Sequence, residues 1–344
     1  MATTLHLLIP GLLGPWPPDR IDPAFPRPTA PALEWLLARA RVSVAPLSPD
    51  AALFRLFGLP AASEPDLPVA AVTRLADGAE AEDGWWLRAD PVHLRADLHG
   101  VWLADARMLA IDLAEAQALV AAFNQTFATD GLRLDAPRPD RWYLRLPDDP
   151  GVRTHPLENA IGRDIQPLLP YGPASRRWHT LLTEAQMLFH AHPVNRTREE
   201  RNQPLLNGIW LWGGGVCPTG IRAPAAGLYA NDPLTRGLAR LAGTTVGPVP
   251  ANAGDWLDAA AGEADGLVVL ETTRFDPMDD DPSAWAGHIV ELERAWFAPC
   301  RQLLLRTGGL AALHLHPGNG RLYTVTSAAR WRFWRHPRPL PTHF

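Results

Sequence analysis

Short apolar runs of strand length alternate along the chain with stretches whose apolar residues recur every three or four positions, so strands and helices should alternate. Leu5 to Ile9 predicts a buried strand running into Pro10-Gly11 and a proline-rich loop through about Pro31. Ala32 to Arg41 predicts a helix with Leu33, Leu36 and Leu37 on one face. A second short helix begins near Asp50, with Ser48 or Asp50 as N-cap, and ends at Gly58. Pro60 to Gly84 reads as a connector.

From Trp85 the pattern changes. Strand-like pieces at Trp85–Arg88, Val92–Arg95 and Val101–Leu103 precede a helix from about Leu113 to Phe127, and strands follow at Leu132–Leu134 and Trp142–Leu146. This is a compact α+β pattern with its own potential core, placed at residues 84–150 as an inserted subdomain. A long helix, Ser175 to His190, leads through residues 151–205 toward strand Ile209–Trp212. Alternation then returns: helix Leu234–Leu241, strand Thr244–Val246, helix Asp255–Ala261, strand Leu267–Leu270 and a long helix from Pro282 to Leu305. Apolar strands between helices predict a mostly parallel sheet covered on both faces, built from residues 1–83 and 206–344. Leu310–His316 and Arg321–Thr326, joined by Pro317-Gly318-Asn319-Gly320, predict a hairpin at the sheet edge.

Composition narrows the function classes. No stretch of about 18 uncharged apolar residues is present, and the start of the sequence lacks a positive n-region, so neither a membrane span nor a signal peptide is expected. The two cysteines, Cys217 and Cys300, have no CxxC spacing, and a cytoplasmic location follows as the expectation. A net charge of −5 offers nucleic acid and anionic lipid no general attraction. Lysine is absent, so every basic residue is an arginine able to grip a phosphate or carboxylate through two parallel hydrogen bonds.

Four segments could carry chemistry. In His192-Pro193-Val194-Asn195-Arg196-Thr197-Arg198, Asn195 could orient an anion while Arg198 supplies the fork; alternatively the arginines pair with Glu199 and Glu200 in solvent. Gly213-Gly214-Gly215 follow an apolar strand, where an open α/β sheet binds ligands and glycine admits a phosphate; the alternative is a tight turn against a helix. The acids Asp276 to Asp281 could hold a hard cation or simply start the next helix. Arg330-Trp331-Arg332-Phe333-Trp334-Arg335 mixes cations and aromatics as single-strand nucleic-acid platforms do, but on an acidic chain packing with cation–π contacts accounts for it. Phosphate-binding P-loop, GxGxxG, GxSxG and HExxH motifs are all absent.

Taken in order, these segments resemble the archaeal-type cofactor-independent phosphoglycerate mutases of the alkaline phosphatase superfamily, and more closely a bacterial branch of RpfE-type regulatory proteins. The resemblance rests on Ser48 to Gly58, Trp102 to Arg107, His192 to Arg198 with Asn207 and the three glycines. The pieces similar to the branch are Asp90 to Asp97, Arg141 to Leu144 and Trp331 to Arg335. It implies an alkaline-phosphatase-like fold: a mostly parallel sheet with helices on both faces plus a small inserted α+β subdomain. It also implies a phosphoryl-transferring serine and two divalent metals, which would clamp the attacking and leaving oxygens. The departures fall on those positions. Pro10-Gly11 stands where the resemblance implies an Asp-Gly ligand pair, and Pro49 stands at the nucleophile position with Ser48 displaced by one residue.

The expected function is therefore a degenerate, regulatory or anion-binding relative without a working mutase site and without a cofactor. Its ligand would be a small phosphorylated or carboxylated molecule held by Asn195, Arg198, Asn207 and Gly213–Gly215. The rival is an enzyme with a rebuilt Mn, Mg or Zn site from Asp276, Asp280 and His316, with Ser48 as its candidate nucleophile. Nucleic-acid binding through the C-terminal Arg/Trp segment is the third reading.

Overall fold

Among the described residues eleven strands form: β1 (Thr3–Leu8), β2 (Arg41–Val44), β3 (Trp85–Asp97), β4 (Gly100–Ala104), β5 (Arg133–Arg138), β6 (Arg141–Leu146), β7 (Gly208–Gly215), β8 (Gly227–Tyr229), β9 (Gly266–Val269), β10 (Leu310–His316) and β11 (Arg321–Thr326). The computed structural model describes residues 3–14, 28–59, 66–98, 100–104, 108–259, 265–273, 282–306 and 309–340. The chain forms two units: Met1–Ala61 with Gly220–Phe344, and Ala62–Thr219.

In the first unit six strands run in the order β2-β11-β10-β1-β9-β8. β1 is parallel to both β10 and β9, and β9 is parallel to β8; β11 and β2 complete the sheet in the antiparallel sense. Alternation along β1 places Leu5 and Leu7 on one face, where they pack with Val268, Leu313, Leu315 and Tyr323. Helices Pro31–Arg39, Ala253–Ala259, Pro282–Leu292 and Ala298–Leu305 contribute to this same core. On the opposite face Leu8, Leu267 and Val269 are buried, while Thr4, His6 and His314 are half-buried. Helices Pro49–Leu56 and Pro233–Leu241 bring further buried residues (Leu53, Phe54, Leu234, Leu238) to this unit.

The long helix predicted from Pro282 to Leu305 exists but loosens into a π turn at Glu293–Phe297. Glu293 then reaches the start of helix Pro31–Arg39, whose own N-cap, Ala30, provides no side-chain hydrogen bond. Its carboxylate accepts the free N–H groups of Ala32 and Leu33 at 2.7 and 3.0 Å.

The second unit is an antiparallel sheet. Its strands run in the order β4-β3-β6-β5, with β7 also paired to β3. The two strands expected at Trp85–Arg88 and Val92–Arg95 are one thirteen-residue strand. Helices Leu113–Thr126 and Ser175–His190 close the core over Trp142, Leu144, Ile209 and Leu211.

Three expectations are corrected here. Ile209–Trp212 was expected beside Leu5–Ile9 in the parallel sheet, with 206–219 in the core domain; instead this strand runs antiparallel to β3 in the second unit. Both its faces are buried: Ile209 and Leu211 lie in one cluster, and Trp210 lies in another with Val92 and Ile161. An apolar run buried on both sides carries no periodicity that reveals strand direction. The second unit also extends well beyond 84–150. No strand forms at Thr244–Val246; β8 takes the place beside β9, and Gly247 makes only an isolated bridge to Tyr229.

Candidate functional site

The residues expected to hold an anion are already occupied by the chain itself. Asn195 is buried, its amide nitrogen donating to the carbonyls of Phe189 and Leu206 and its oxygen accepting from Leu206 N. Arg198 is fully buried: Nε donates to Pro204 O at 2.8 Å, Nη1 to Glu115 Oε2 at 2.6 Å, and Nη2 to Leu109 O. Asn207 pairs with both backbone groups of Leu94. These side chains tie helix Pro193–Glu200 and the following loop to the rest of the unit, and they leave no fork for a ligand. The three glycines serve packing as well. Gly213 adopts φ +64° against Val69, and a Cβ at Gly215 would lie 2.6 Å from Pro68. The residues expected to form an anion site, Asn195, Arg198, Asn207 and Gly213–Gly215, are thus engaged by the chain's own backbone and side chains.

At the carboxyl ends of the parallel strands, where open α/β sheets place ligands, the chain is equally self-engaged. Thr273 Oγ1 donates to Pro10 O at 2.8 Å, and Trp285 Nε1 donates to Gly11 O. Ser48 is the N-cap of helix Pro49–Leu56, its hydroxyl accepting from Ala51 N at 3.1 Å. The β10–β11 turn lies close by, since a Cβ on Gly318 would meet Pro49 at 2.7 Å. Asp276 and Asp280 lie outside the described residues. Among the described residues no group of three or more His, Cys, Asp or Glu is arranged to hold a metal ion.

Sequence reasoning missed a histidine cluster. In-register pairing puts His6 opposite His314 and stacks the rings 4.5 Å apart, while His6 Nδ1 lies 3.2 Å from His316 Nε2. His314 Nδ1 contacts Thr324 Oγ1. Burial and the neighbouring imidazoles lower His316 to about 3 and, with Asp265 opposing, His6 to about 4. The rings are therefore neutral at pH 7, and one shared N–H···N bond joins two of them. The unfolded chain takes up these protons below about pH 6.5 whereas the folded chain does not, so acid selectively stabilises the unfolded state. Urea midpoints should fall as the pH drops from about 6.5 toward about 4.5, and less steeply in His316→Gln. Equal slopes in the two proteins would place the titration elsewhere.

A buried ionic network in the second unit was also missed, although Asp90 and Arg141-Trp142-Tyr143 were among the segments that carried the resemblance. Arg88 Nε and Nη2 both donate to Asp90 Oδ1, at 3.0 and 2.6 Å, and Trp212 Nε1 donates to Asp90 Oδ2 at 2.7 Å. Burial disfavours the Arg88 charge, but Asp90 outweighs it and keeps the guanidinium protonated. Nearby, Arg141 and the Tyr143 hydroxyl converge on Asp77. Burial opposes ionisation of Asp77, yet these donors hold its carboxyl below the ordinary value. Every donor at Asp90 is an N–H, so the group acts as a closed structural pair.

The C-terminal Arg/Trp segment lies in the open. Arg330 stacks over Trp331 at 5.1 Å and Phe333 meets Trp334 edge to face, but Trp331, Phe333 and Trp334 stay 65, 72 and 62% exposed. Packing alone therefore does not account for it.

No family model matches the chain. A stretch of 153 residues is 33% identical to the 2,3-bisphosphoglycerate-independent phosphoglycerate mutase of Methanothrix thermoacetophila; it spans 41% of this chain and 38% of that protein, well under two thirds of its length. Among solved structures, the PH0037 protein of Pyrococcus horikoshii superposes with a TM-score of 0.56 at 15% identity, covering 94% of this chain and 87% of that one. The two share a mixed α/β fold. A cofactor-independent phosphoglycerate mutase from Thermoplasma acidophilum aligns with a TM-score of 0.48 and 18% identity, over 95% of this chain and 90% of that one. Among the described residues no helix is long and apolar enough to cross a membrane.

Proposed function

We propose that the chain is a phosphoglycerate-mutase-like protein of archaeal type, nearest the RpfE-type bacterial branch, that lacks mutase turnover and acts as a cytoplasmic regulatory or anion-binding protein. One observation carries this reading: the serine next to the nucleophile position spends its hydroxyl on a helix N-cap beside Pro49. Pro10, at the first-ligand position, can supply no carboxylate, and its carbonyl already accepts from Thr273. A proline can be neither nucleophile nor side-chain ligand. The small phosphorylated or carboxylated ligand remains part of the proposal, without Asn195 or Arg198 as its holders.

Assayed with manganese or cobalt supplied, the protein should give no detectable interconversion of 3- and 2-phosphoglycerate. Turnover that survives repurification and disappears in Ser48→Ala would overturn the reading. The rival, a rebuilt site from Asp276, Asp280 and His316, has one observation on its side: His316 is buried with a second imidazole nitrogen 3.2 Å away. Stoichiometric metal in chelator-free protein, lost in His316→Gln, would favour it.

A further inference from the structure

β2 is the outermost strand of the six-stranded sheet, and all four of its residues are exposed. One side pairs with β11; on the other no strand of the described residues pairs with its backbone N–H and C=O groups. Natural edges are commonly blunted by bulges, prolines or covering elements. Here Val42 and Val44 stand 51 and 87% exposed on the strand itself, and the exposed Trp331, Phe333 and Trp334 belong to the same unit.

Beside this edge a depression of ≈ 400 Å³ is lined by Ala40, Arg41, Val42, Arg332, Trp334 and Arg335. Three guanidiniums and an indole share it with no acidic residue. Two of the arginines are held in place: Arg332 Nη1 donates to Arg39 O and Arg335 Nη1 to Ala40 O, both at 2.7 Å. Each such bond uses one of five N–H donors, leaving most of the fork for an incoming acceptor. Among the described residues no carboxylate pairs with Arg41, Arg332 or Arg335.

We propose that the free edge of β2 accepts an extended acidic peptide segment as an added strand, its carboxylates gripped by Arg41, Arg332 and Arg335 and one apolar side chain resting on Val42 and Trp334. Strand addition supplies main-chain hydrogen bonds, while the flanking pocket selects side chains of the incoming segment. The charge of the pocket selects an acidic segment. A second copy of this chain would bring three like guanidiniums against these three. A nucleic acid strand would match the arginines and the indole but would leave the backbone edge unpaired, and the net charge of −5 repels a long polyanion. This inference stands apart from the question of mutase turnover.

The test uses the full chain and a fluorescent peptide of about eight alternating glutamates and valines, a strand's length, read by anisotropy. Binding is expected, weakening as salt is raised. It should fall at least about tenfold in Arg332→Gln/Arg335→Gln, the loss of a charge-assisted contact. Arg41→Gln, whose side chain holds no backbone group among the described residues, should weaken it in the same direction, with circular dichroism unchanged. A peptide with glutamine for glutamate, and one with proline at alternate positions, should both bind poorly. Absence of binding by the acidic peptide, equal binding of the glutamine or proline peptide, or tighter binding of an oligothymidylate that displaces the peptide would each overturn the proposal. So would self-association through the edge that excludes the peptide.

Discussion

Arg198→Ala is expected to destabilise the protein by about 3–5 kcal/mol, the cost of stranding the partner of a buried ion pair. The substitution leaves the carbonyls of Leu109 and Pro204 without their donor and frees the Glu115 carboxylate from its guanidinium. Glu115 also accepts from Asp112 N in the capping box of helix Leu113–Thr126, so the start of that helix should loosen as well. Arg198→Lys keeps the charge but cannot reproduce three diverging donors, and should fall between wild type and alanine. Urea denaturation checks both. An alanine variant as stable as wild type would mean that the guanidinium faces solvent and is free for an anion after all.

Asp90→Ala should cost a similar amount, about 3–5 kcal/mol, because it abandons a fully buried Arg88 and an indole N–H at once. The informative variant is the double one. Arg88→Met with Asp90→Leu removes both charges, and apolar replacements of buried pairs are often neutral. Most of the loss should therefore be recovered, and a thermodynamic cycle should give a coupling well above the roughly 0.5 kcal/mol expected of independent sites. Additive losses would show that the two side chains stabilise the sheet separately.

Most helices were legible in the sequence because amphipathic spacing and caps are local; the buried helix Val69–Ala76 was not, since it lies inside the stretch Pro60 to Gly84 that reads as a connector. Ser175–His190 was placed to the residue, and of the two caps expected for the second helix, Ser48 and Asp50, Ser48 is the one that forms. The parallel neighbours β1 and β9 followed from their apolar runs. What failed was information that a single strand does not contain. Trp210 reads the same whether its neighbour runs parallel or antiparallel, and that direction moved β7 from one unit to the other. At the candidate site the residue types were read correctly and their surroundings were not. Arg198 and Asn195 have the chemistry of an anion site, but the backbone carbonyls that consume it come from Leu109, Phe189, Pro204 and Leu206, which no motif marks. The histidine cluster was invisible for the same reason: His6 and His314 are 308 positions apart and meet only through strand register.

The division of the chain bears on how it is made. β1 leaves the ribosome well before its partners β9 and β10, which begin only at Gly266 and Leu310. At about 5–20 residues per second, this leaves the Leu5–Leu8 edge unpaired for roughly 10–50 s. Ala62–Thr219, meanwhile, has emerged with every strand partner it needs. Synthesis thus runs in a fixed sequence, inner block first and outer sheet last. The first apolar strand waits as a sticky edge, so slowed translation of 220–310 should raise its exposure to chaperones and to aggregation.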